Sequence, residues 1–285
     1  MHPRRIGDTQ VSAIGLGAMP LSVDDGPDEQ RAVATVHAAL DAGVTLIDTA
    51  DAYGPAGTGL GYNESLVARA LASYGGDTSD VLVATKGGHT RPDDGSWELD
   101  GSPEHLRAAC EGSLKRLGVE AIGLYQFHRP DPKVPYAESV GALRDLLDEG
   151  KIQLAGISNA DPDQIRQADE ILGGRLAAVQ NEFSPGFRSS RPELDLCTEM
   201  SIAFLPWSPL GGIGKAADLG SRAVFAEVAD ELAVSPQQVA LAWQLALSPV
   251  VVPIPGSSRP ETIRASAEAA NLTLSLEQQD RLASA

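Results

Sequence analysis

Short runs of apolar and β-branched residues alternate along this chain with longer segments whose apolar residues recur at helical spacing. This alternation predicts parallel strands joined by crossover helices. The runs that fit strands are residues 13–16, 45–48, 81–86, 121–126, 152–157, 177–182, 202–207 and 250–253. Eight such strands predict a closed α/β barrel of the (β/α)8 type. A length of 285 residues, with no linker-like tract, predicts a single domain over residues 1–285.

Capping residues mark the ends of several predicted helices. A capping residue beside a proline predicts helix starts at Pro27–Asp28, Ser102–Pro103 and Ser235–Pro236. Glycine favours the left-handed conformation that ends a helix, so Gly43 and Gly118 predict the ends of the first and third helices. The helices therefore have defined limits between the predicted strands.

Three further segments lie outside this pattern. Residues 5–12, with Gly7 and Asp8 at their centre, predict a short hairpin that plugs the bottom of the barrel. Residues 50–62 and 87–101 are the longest strand-to-helix connections. Because (β/α)8 barrels carry their active sites at the C-terminal ends of the strands, these two loops predict where the site lies.

Charge and composition limit the partners. The formal net charge is -17, so the surface repels nucleic acids and anionic lipids. No apolar segment resembles a signal peptide or a membrane span, which predicts a cytoplasmic protein. Cys110 and Cys197 lie far apart in helical segments and are predicted to be packing residues. No feature sets an oligomeric state, and a monomer is the default expectation.

Four residues with acid–base or charged side chains end neighbouring strands or follow them closely. Asp48 ends the second predicted strand and Tyr53 lies in the loop after it. Lys86 ends the third predicted strand, and His128 follows the fourth. Alone, each has an ordinary interpretation, such as a capping carboxylate or a packed tyrosine. Their convergence on one rim favours a catalytic group.

The chemistry explains why these residue types would be grouped. Tyrosine, with a pKa of about 10, is a reluctant proton donor, but a nearby ammonium group stabilises the phenolate and lowers that pKa. Lys86 would supply this charge, and Asp48 would keep Lys86 protonated in a partly closed pocket. His128 could donate a hydrogen bond that orients and polarises a substrate carbonyl. The rim thus predicts proton donation by Tyr53 to a carbonyl oxygen.

Segments spread over nearly the whole chain resemble those of the aldo-keto reductase family, in the same order. The first is Gly-Val-Thr-Leu-Ile-Asp-Thr-Ala-Asp-Ala-Tyr-Gly at 43–54, and others are at 84–86, 114–118, 125–128, 156–159, 179–185, 207–212 and 254–259. The resemblance implies a (β/α)8 barrel that reduces carbonyl groups to alcohols. It also implies that Asp48, Tyr53, Lys86 and His128 form the catalytic tetrad, with none of them substituted.

The same resemblance implies a nicotinamide cofactor and its contacts. Ser158, Asn159 and Gln180 match the residues that hold the nicotinamide carboxamide, and neutral hydrogen-bonding side chains suit an amide. Trp207 matches the aromatic side chain that stacks on the nicotinamide ring. Small side chains and backbone N–H groups after Trp207 would contact the pyrophosphate, and these residues are Ser208, Pro209, Leu210, Gly211 and Gly212.

The resemblance also indicates which cofactor is used. Arg259, beside Ser257 and Ser258, matches the basic residue that contacts the adenosine 2′-phosphate, so NADPH is favoured over NADH. Further on, Ala265 and Ser266 replace the Glu-Asn pair common in the family near the adenine.

The substrate is predicted to be a small molecule with a carbonyl group. Met19 and Trp97 lie in loops that could form the wall of its pocket, and Phe187 is a further candidate.

Three other functions fit these residues less well than a reductase. A cofactor-bound regulatory subunit, similar to potassium-channel β subunits, would use the same scaffold, although the intact tetrad argues against it. A Schiff-base aldolase would need a neutral Lys86, whereas Asp48 would keep it charged. A metal-dependent hydrolase lacks an HxH pair or a His-carboxylate cluster at the strand ends. Residues 15–20 and 214–215 do not fit a Rossmann fingerprint or a P-loop.

Overall fold

Parallel strands form a curled sheet in which each strand pairs with its neighbours in chain order. The computed structural model describes residues 3–23, 28–92, 94–212 and 214–285. Its strands are β1 (Arg4–Ile6), β2 (Thr9–Val11), β3 (Leu16–Gly17), β4 (Leu46–Asp48), β5 (Leu82–Gly87), β6 (His89–Thr90), β7 (Glu98–Leu99), β8 (Ile122–Phe127), β9 (Ile152–Ser158), β10 (Leu176–Gln180) and β11 (Ala203–Phe204). The parallel sheet has the order β11-β10-β9-β8-β5-β4-β3, whereas β1 with β2 and β6 with β7 form separate antiparallel pairs.

Helices follow the strands and pack around the sheet. They are α1 (Glu29–Asp41), α2 (Tyr62–Ser73), α3 (Pro103–Leu117), α4 (Tyr136–Asp148), α5 (Pro162–Ile171), α6 (Arg191–Met200), α7 (Ala223–Leu232), α8 (Pro236–Leu247), α9 (Pro260–Glu268) and α10 (Leu276–Ala283). Short 3-10 turns lie at Met19–Leu21, Ala216–Ser221 and Ala269–Asn271. None of the described helices is long and apolar enough to cross a membrane.

The predicted helix ends agree with the structure where it describes them. The hydroxyl of Ser102 accepts a hydrogen bond from the His105 N–H at the start of α3, and Gly118 ends this helix at a φ of 70°. Ser235 caps α8 in the same way, as part of a capping box. Asp28 caps α1, whereas Pro27, predicted to open that helix, lies outside the described residues.

The eighth predicted strand, residues 250–253, is not a regular strand, although its segment closes the barrel. Isolated parallel bridges join Val251 to Phe204 of β11 and Gly256 to Gly17 of β3. Four backbone hydrogen bonds of 2.9 to 3.3 Å hold the segment on both sides, namely Val252 N to Phe204 O, Ile254 N to Pro206 O, Gly15 N to Pro253 O and Gly17 N to Pro255 O. Proline has no N–H to donate, so Pro253 and Pro255 interrupt the ladder toward β3.

The other strand predictions have the right order, with shifted ends. The first predicted strand, 13–16, appears as Leu16–Gly17, and the seventh, 202–207, shortens to Ala203–Phe204. The curled sheet and its surrounding helices confirm the predicted (β/α)8 class.

The predicted hairpin is present at the amino-terminal end of the barrel. Ile6 and Val11, one from each of its strands, are buried in a cluster with Leu46, Leu82 and Leu124 of β4, β5 and β8. Successive residues of a strand point to opposite faces, so these leucines share the inward face with residues two or four positions further on. These later positions lie near the carboxyl-terminal rim of the barrel, and they are Asp48, Lys86 and Gln126.

Both cysteines are buried in helices, as predicted for packing residues. Cys110 lies in α3 and Cys197 in α6, and neither forms a disulfide. Burial raises the pKa of each thiol to about 12. Both groups therefore stay protonated at neutral pH.

Candidate active site

The C-terminal ends of β4, β5 and β8 bring the four predicted tetrad residues together. The Lys86 ammonium donates hydrogen bonds to Asp48 Oδ2 at 2.6 Å and to the Tyr53 hydroxyl at 3.4 Å. The Thr49 carbonyl accepts a third at 2.9 Å. Lys86 is fully buried, so its charge is satisfied by these three oxygens.

Asp48 holds Lys86 in its charged form. Burial alone would lower the pKa of Lys86, but the adjacent Asp48 carboxylate and the Tyr53 hydroxyl outweigh it and the pKa is raised. The other Asp48 oxygen accepts hydrogen bonds from Gln180 Nε2 at 2.8 Å and Gln126 Nε2 at 3.3 Å. Gln126 was not among the predicted site residues, although it lies near the end of β8, two residues beyond Leu124, just as Asp48 lies two residues beyond Leu46 in β4.

Tyr53 faces a cavity beside this network. Its pKa is raised above the ordinary value of a phenol because burial disfavours the phenolate, and the positive charge of Lys86 only partly opposes this. The sequence predicted a lowered pKa, and the difference arises because burial outweighs the lysine. Tyr53 therefore keeps its proton at neutral pH.

His128 stands edge-to-face with Tyr53, with ring centroids 5.7 Å apart. Burial lowers its pKa well below 6.5, and the charges of Lys86 and Arg129 and the neighbouring His89 lower it further. Its Nδ1 is buried without a hydrogen-bond partner in the described part of the chain. His128 is thus a neutral imidazole, which can donate through one nitrogen only.

Asp51 is a second buried carboxyl group, and in the chain it lies between Asp48 and Tyr53. No side chain among the described residues donates a hydrogen bond to it. Burial, followed by the negative charge of Glu64, raises the pKa of Asp51 well above its ordinary range. Arg116, whose guanidinium donates to Glu64 at 2.6 Å, only partly offsets this effect.

The cavity beside Tyr53 has a volume of about 530 Å³ and runs from the tetrad to the end of the eighth segment. Most predicted site residues form its wall: Asp48, Tyr53, His128, Met19, Trp97, Ser158, Asn159, Gln180, Trp207, Ser208, Pro209, Leu210, Gly212, Ser257, Ser258 and Arg259. Lys86 lies behind the wall, where it contacts Tyr53, and Gly211 is not part of it. A larger open cavity of about 880 Å³ lies at the opposite end of the barrel, and no predicted site residue lines it.

Neutral polar side chains form one side of this cavity. The Ser158 hydroxyl donates to the Gln180 carbonyl at 2.7 Å. Asn159 donates to the His128 carbonyl at 3.0 Å and to the Ser158 hydroxyl at 2.9 Å, and it accepts from Arg129 at 3.0 Å. The backbone of Asn159 is left-handed, with a φ of 57°. These bonds fix the three predicted carboxamide contacts in place.

Trp207 and the loop after it form the next part of the wall. The indole N–H of Trp207 is buried and finds no acceptor among the described residues. Ser208, Gly211 and Gly212 have positive φ angles of 49°, 97° and 104°. Successive turns of this kind expose backbone N–H groups, which suit an anion such as a pyrophosphate.

Arg259 lies at the end of the cavity away from the tetrad, and 62% of its side chain is exposed. Its nearest carboxylate is Glu261, at 3.5 Å. The Ser257 hydroxyl donates to the Arg259 carbonyl at 3.0 Å, which orders the turn before α9. On α9, Thr262 lines the cavity, whereas Ser266 is buried and is not part of the wall.

The structure corrects one predicted substrate contact and adds His89 and Arg129 near the tetrad. Phe187 does not line the cavity, because a tight turn that pairs it with Ser184 leaves its side chain exposed. His89 and Arg129 do line it. The hairpin β6–β7 folds within the long connection and brings His89 to 4.4 Å from His128, centroid to centroid. No motif marked His89, whereas Arg129 is adjacent to a predicted tetrad residue.

No group of three or more His, Cys, Asp and Glu side chains in the described ranges is arranged to hold a metal ion.

Comparisons with known proteins show which sequences this chain resembles. A model of the aldo/keto reductase family matches residues 13–285. The uncharacterized oxidoreductase C215.11c of Schizosaccharomyces pombe is 36% identical over 277 residues, which is 96% of this chain and 86% of that protein. The probable aldo-keto reductase 1 of Glycine max is 36% identical over 290 residues, which is 91% of this chain and 81% of that protein.

Solved structures have the same fold. The glycerol dehydrogenase AKR11B4 from Gluconobacter oxydans superposes with a TM-score of 0.85 at 28% identity, covering 99% of this chain and 94% of that one. An aldo/keto reductase from Klebsiella pneumoniae, in complex with NADP and acetate, gives a TM-score of 0.81 at 27% identity, covering 98% and 92%.

Proposed function

The chain belongs to the aldo/keto reductase family and is an oxidoreductase, and from that premise we propose that it reduces aldehydes or ketones to alcohols with NADPH, with Tyr53 as the proton donor. The observation that carries the proposal is the buried hydrogen-bonded chain from Asp48 through Lys86 to the Tyr53 hydroxyl, at 2.6 and 3.4 Å. NADPH would supply a hydride to the carbonyl carbon. The protein's residues would then supply the proton and hold the substrate.

Tyr53 would donate its hydroxyl proton to the carbonyl oxygen as negative charge develops there. Burial keeps Tyr53 protonated at neutral pH, and the Lys86 ammonium stabilises the phenolate that is left. Asp48 keeps Lys86 charged, and its hydrogen bonds from Gln126 and Gln180 fix the carboxylate. The acid is therefore supported by a buried charge that does not have to move during the reaction.

His128 would donate a hydrogen bond to the same carbonyl oxygen. Its low pKa supports a neutral donor, which polarises the carbonyl without competing with Tyr53 as the acid. The edge-to-face contact with Tyr53 and the contact with His89 limit the orientations of the ring. Met19 and Trp97 would form the apolar part of the substrate pocket.

The cavity residues fit a nicotinamide dinucleotide. Ser158, Asn159 and Gln180 would hold the carboxamide. Trp207 would provide an aromatic face for the ring, and its indole N–H has no acceptor among the described residues. The positive-φ backbone of the loop after it would provide N–H groups for the pyrophosphate. Together these features support one extended binding site along the rim.

Arg259 supports NADPH as the cofactor because a guanidinium matches phosphate oxygens and NADH lacks the 2′-phosphate. Arg259→Ala should raise the Kd of NADPH about tenfold, or about 1.4 kcal/mol, and leave that of NADH nearly unchanged. Both constants can be measured by fluorescence quenching. An equal loss for the two cofactors would refute the role of Arg259.

Tyr53→Phe tests the proposed chemistry. The variant lacks only the proton donor, so NADPH should bind as in the wild type while carbonyl reduction falls by about 10²- to 10⁴-fold. Loss of NADPH absorbance with a small aldehyde measures the rate, and quenching measures binding. Turnover near the wild-type rate would show that Tyr53 is not the acid.

The alternative of a Schiff-base aldolase is weakened by the state of Lys86. A nucleophilic lysine must be neutral, whereas the raised pKa of Lys86 and its 2.6 Å ion pair keep it protonated. Lys86 also lies behind the cavity wall, so a substrate carbonyl would first have to displace Tyr53.

A further inference from the structure

Arg129 is a cation of the cavity wall that the reductase chemistry does not use. It follows His128 directly and is exposed, whereas His128 is buried. Its only side-chain hydrogen bond in the described structure runs from Nη2 to Asn159 Oδ1, at 3.0 Å. A guanidinium has five N–H donors, so most of the donors of Arg129 remain free.

The other charges of the cavity wall are already paired. Asp48, the one carboxylate of the described wall, accepts from Lys86, Gln126 and Gln180. Arg259 has Glu261 at 3.5 Å. Arg129 forms no ion pair with any residue that the structure describes. Burial raises the pKa of Glu182, and the charges of Lys215 and Arg129 oppose this, but Glu182 and Arg129 do not form an ion pair.

The position of Arg129 relates it to the substrate. Arg129 lines the same cavity as His128 and His89, whose ring centroids are 4.4 Å apart. Asn159 anchors one edge of the guanidinium, so the side chain is partly ordered before any ligand binds. An ordered guanidinium with free donors suits a two-pronged contact with an oxyanion.

The overall charge makes this local cation important. At a net charge of -17 the protein repels anions, although salt at about 0.15 M screens this repulsion beyond about 8 Å. An anionic substrate would therefore need a nearby cation to bind. Arg129 is the wall residue with a charge free for that purpose among those described.

We propose that Arg129 forms an anion subsite, and that the preferred substrates are aldehydes or ketones that carry a carboxylate. This inference rests on the proposed reductase function and deepens it. The carboxylate would bind the guanidinium while the carbonyl oxygen lies between Tyr53 and His128.

A matched pair of aldehydes tests the subsite. 4-Carboxybenzaldehyde carries the anion, and methyl 4-formylbenzoate is its neutral ester. Arg129→Met keeps the side-chain length without charge, Arg129→Lys keeps the charge without the fork, and Arg166→Met is the control because Arg166 is an exposed arginine of α5 outside the cavity.

The wild type should prefer the acid over the ester in kcat/KM. Arg129→Met should lower kcat/KM for the acid by about 10- to 100-fold, mainly through KM, and that for the ester by less than about threefold. Arg129→Lys should retain part of the preference, and Arg166→Met all of it. Reduction of both aldehydes with the same ratio in the wild type and Arg129→Met would overturn the subsite and leave the reductase intact.

A binding measurement separates this inference from the proposed function. Calorimetry can measure the Kd of 4-carboxybenzyl alcohol for the NADP-loaded protein, which requires no turnover. If the wild type reduces neither aldehyde but binds this alcohol at least tenfold more tightly than Arg129→Met does, the subsite stands and the reductase proposal fails. Binding that is absent, or equal in the two proteins, overturns the subsite.

Discussion

The two ends of the barrel are built from the same faces of the same strands, and they differ in chemistry. At the amino-terminal end, Leu46 of β4 and Leu124 of β8 pack against the hairpin residues Ile6 and Val11. At the carboxyl-terminal rim, the next inward positions on these strands hold Asp48 and Gln126. All are buried, so the change from apolar to polar is not a change from interior to surface.

This difference separates what stabilises the fold from what the site needs. Buried apolar side chains stabilise the barrel through the area they remove from water. A buried ion pair such as Lys86 with Asp48 gives little net stability, because desolvation offsets most of the Coulomb attraction. The buried ion pair of the rim therefore contributes little to folding stability, which supports a role for it in a reaction.

Lys86→Met should give the largest effect, and it falls on activity. Without the ammonium group the pKa of Tyr53 rises further and the phenolate loses its partner, so reduction should fall by about 10²- to 10⁴-fold at every accessible pH. Methionine keeps much of the apolar stem, which limits packing loss. Kinetics and thermal melting, with and without NADPH, should be compared. A folded variant that binds NADPH and turns over near the wild-type rate would show that the rim does not depend on the charge of Lys86 for its reaction.

Leu124→Ala should give the converse result at the other end of β8. Removing a fully buried leucine should lower the free energy of unfolding by about 3 kcal/mol, as read from urea denaturation. The rate constant kcat should stay close to that of the wild type. Gln126→Leu, one inward position nearer the rim, is the matched variant and should lower kcat with a smaller loss of stability. If both variants lose activity and stability in parallel, the two ends do not have separate roles.

Asp51→Asn should give the smallest effect, and it concerns the pH dependence of stability. In the unfolded chain Asp51 titrates near its ordinary value of about 3.9, whereas its folded pKa is raised well above this. Between the two pKa values the folded state binds more protons at Asp51, so the contribution of Asp51 to stability falls as pH rises through this window.

Asparagine does not titrate, so the variant should lose less stability over that range. The melting temperature of the wild type should fall more than that of Asp51→Asn between about pH 5 and pH 8, by on the order of 2 °C. An identical pH dependence in the two proteins would mean that Asp51 ionises normally.

The strand pattern in the sequence predicts the barrel because strand spacing is a local signal. Asp48 and Lys86 end apolar runs, and they become candidates for the site once a barrel is assumed, because its site lies at the C-terminal ends of the strands. The last strand was predicted wrongly because Pro253 removes a ladder donor while the backbone still closes the barrel.

Other features depend on contacts between distant loops. His89 reaches His128 only because β6 and β7 pair within a connection that shows no strand pattern. The net pKa of Tyr53 depends on how deeply it is buried, which the sequence does not specify. The position of Tyr53 beside Lys86 was predictable, whereas the balance of burial and charge around its hydroxyl was not.

Deuterium transfer tests the central claim most directly. The wild-type protein can be incubated with an aldehyde and NADPH that carries deuterium at the reactive face of nicotinamide C4, and the product analysed by mass spectrometry. We predict an alcohol with a single deuterium on the former carbonyl carbon, formed by the wild type and at least about 10²-fold more slowly by Tyr53→Phe. Hydride transfer at this rim would be contradicted if the wild type formed no alcohol. It would also be contradicted if the alcohol contained no deuterium when either face of C4 carried the label.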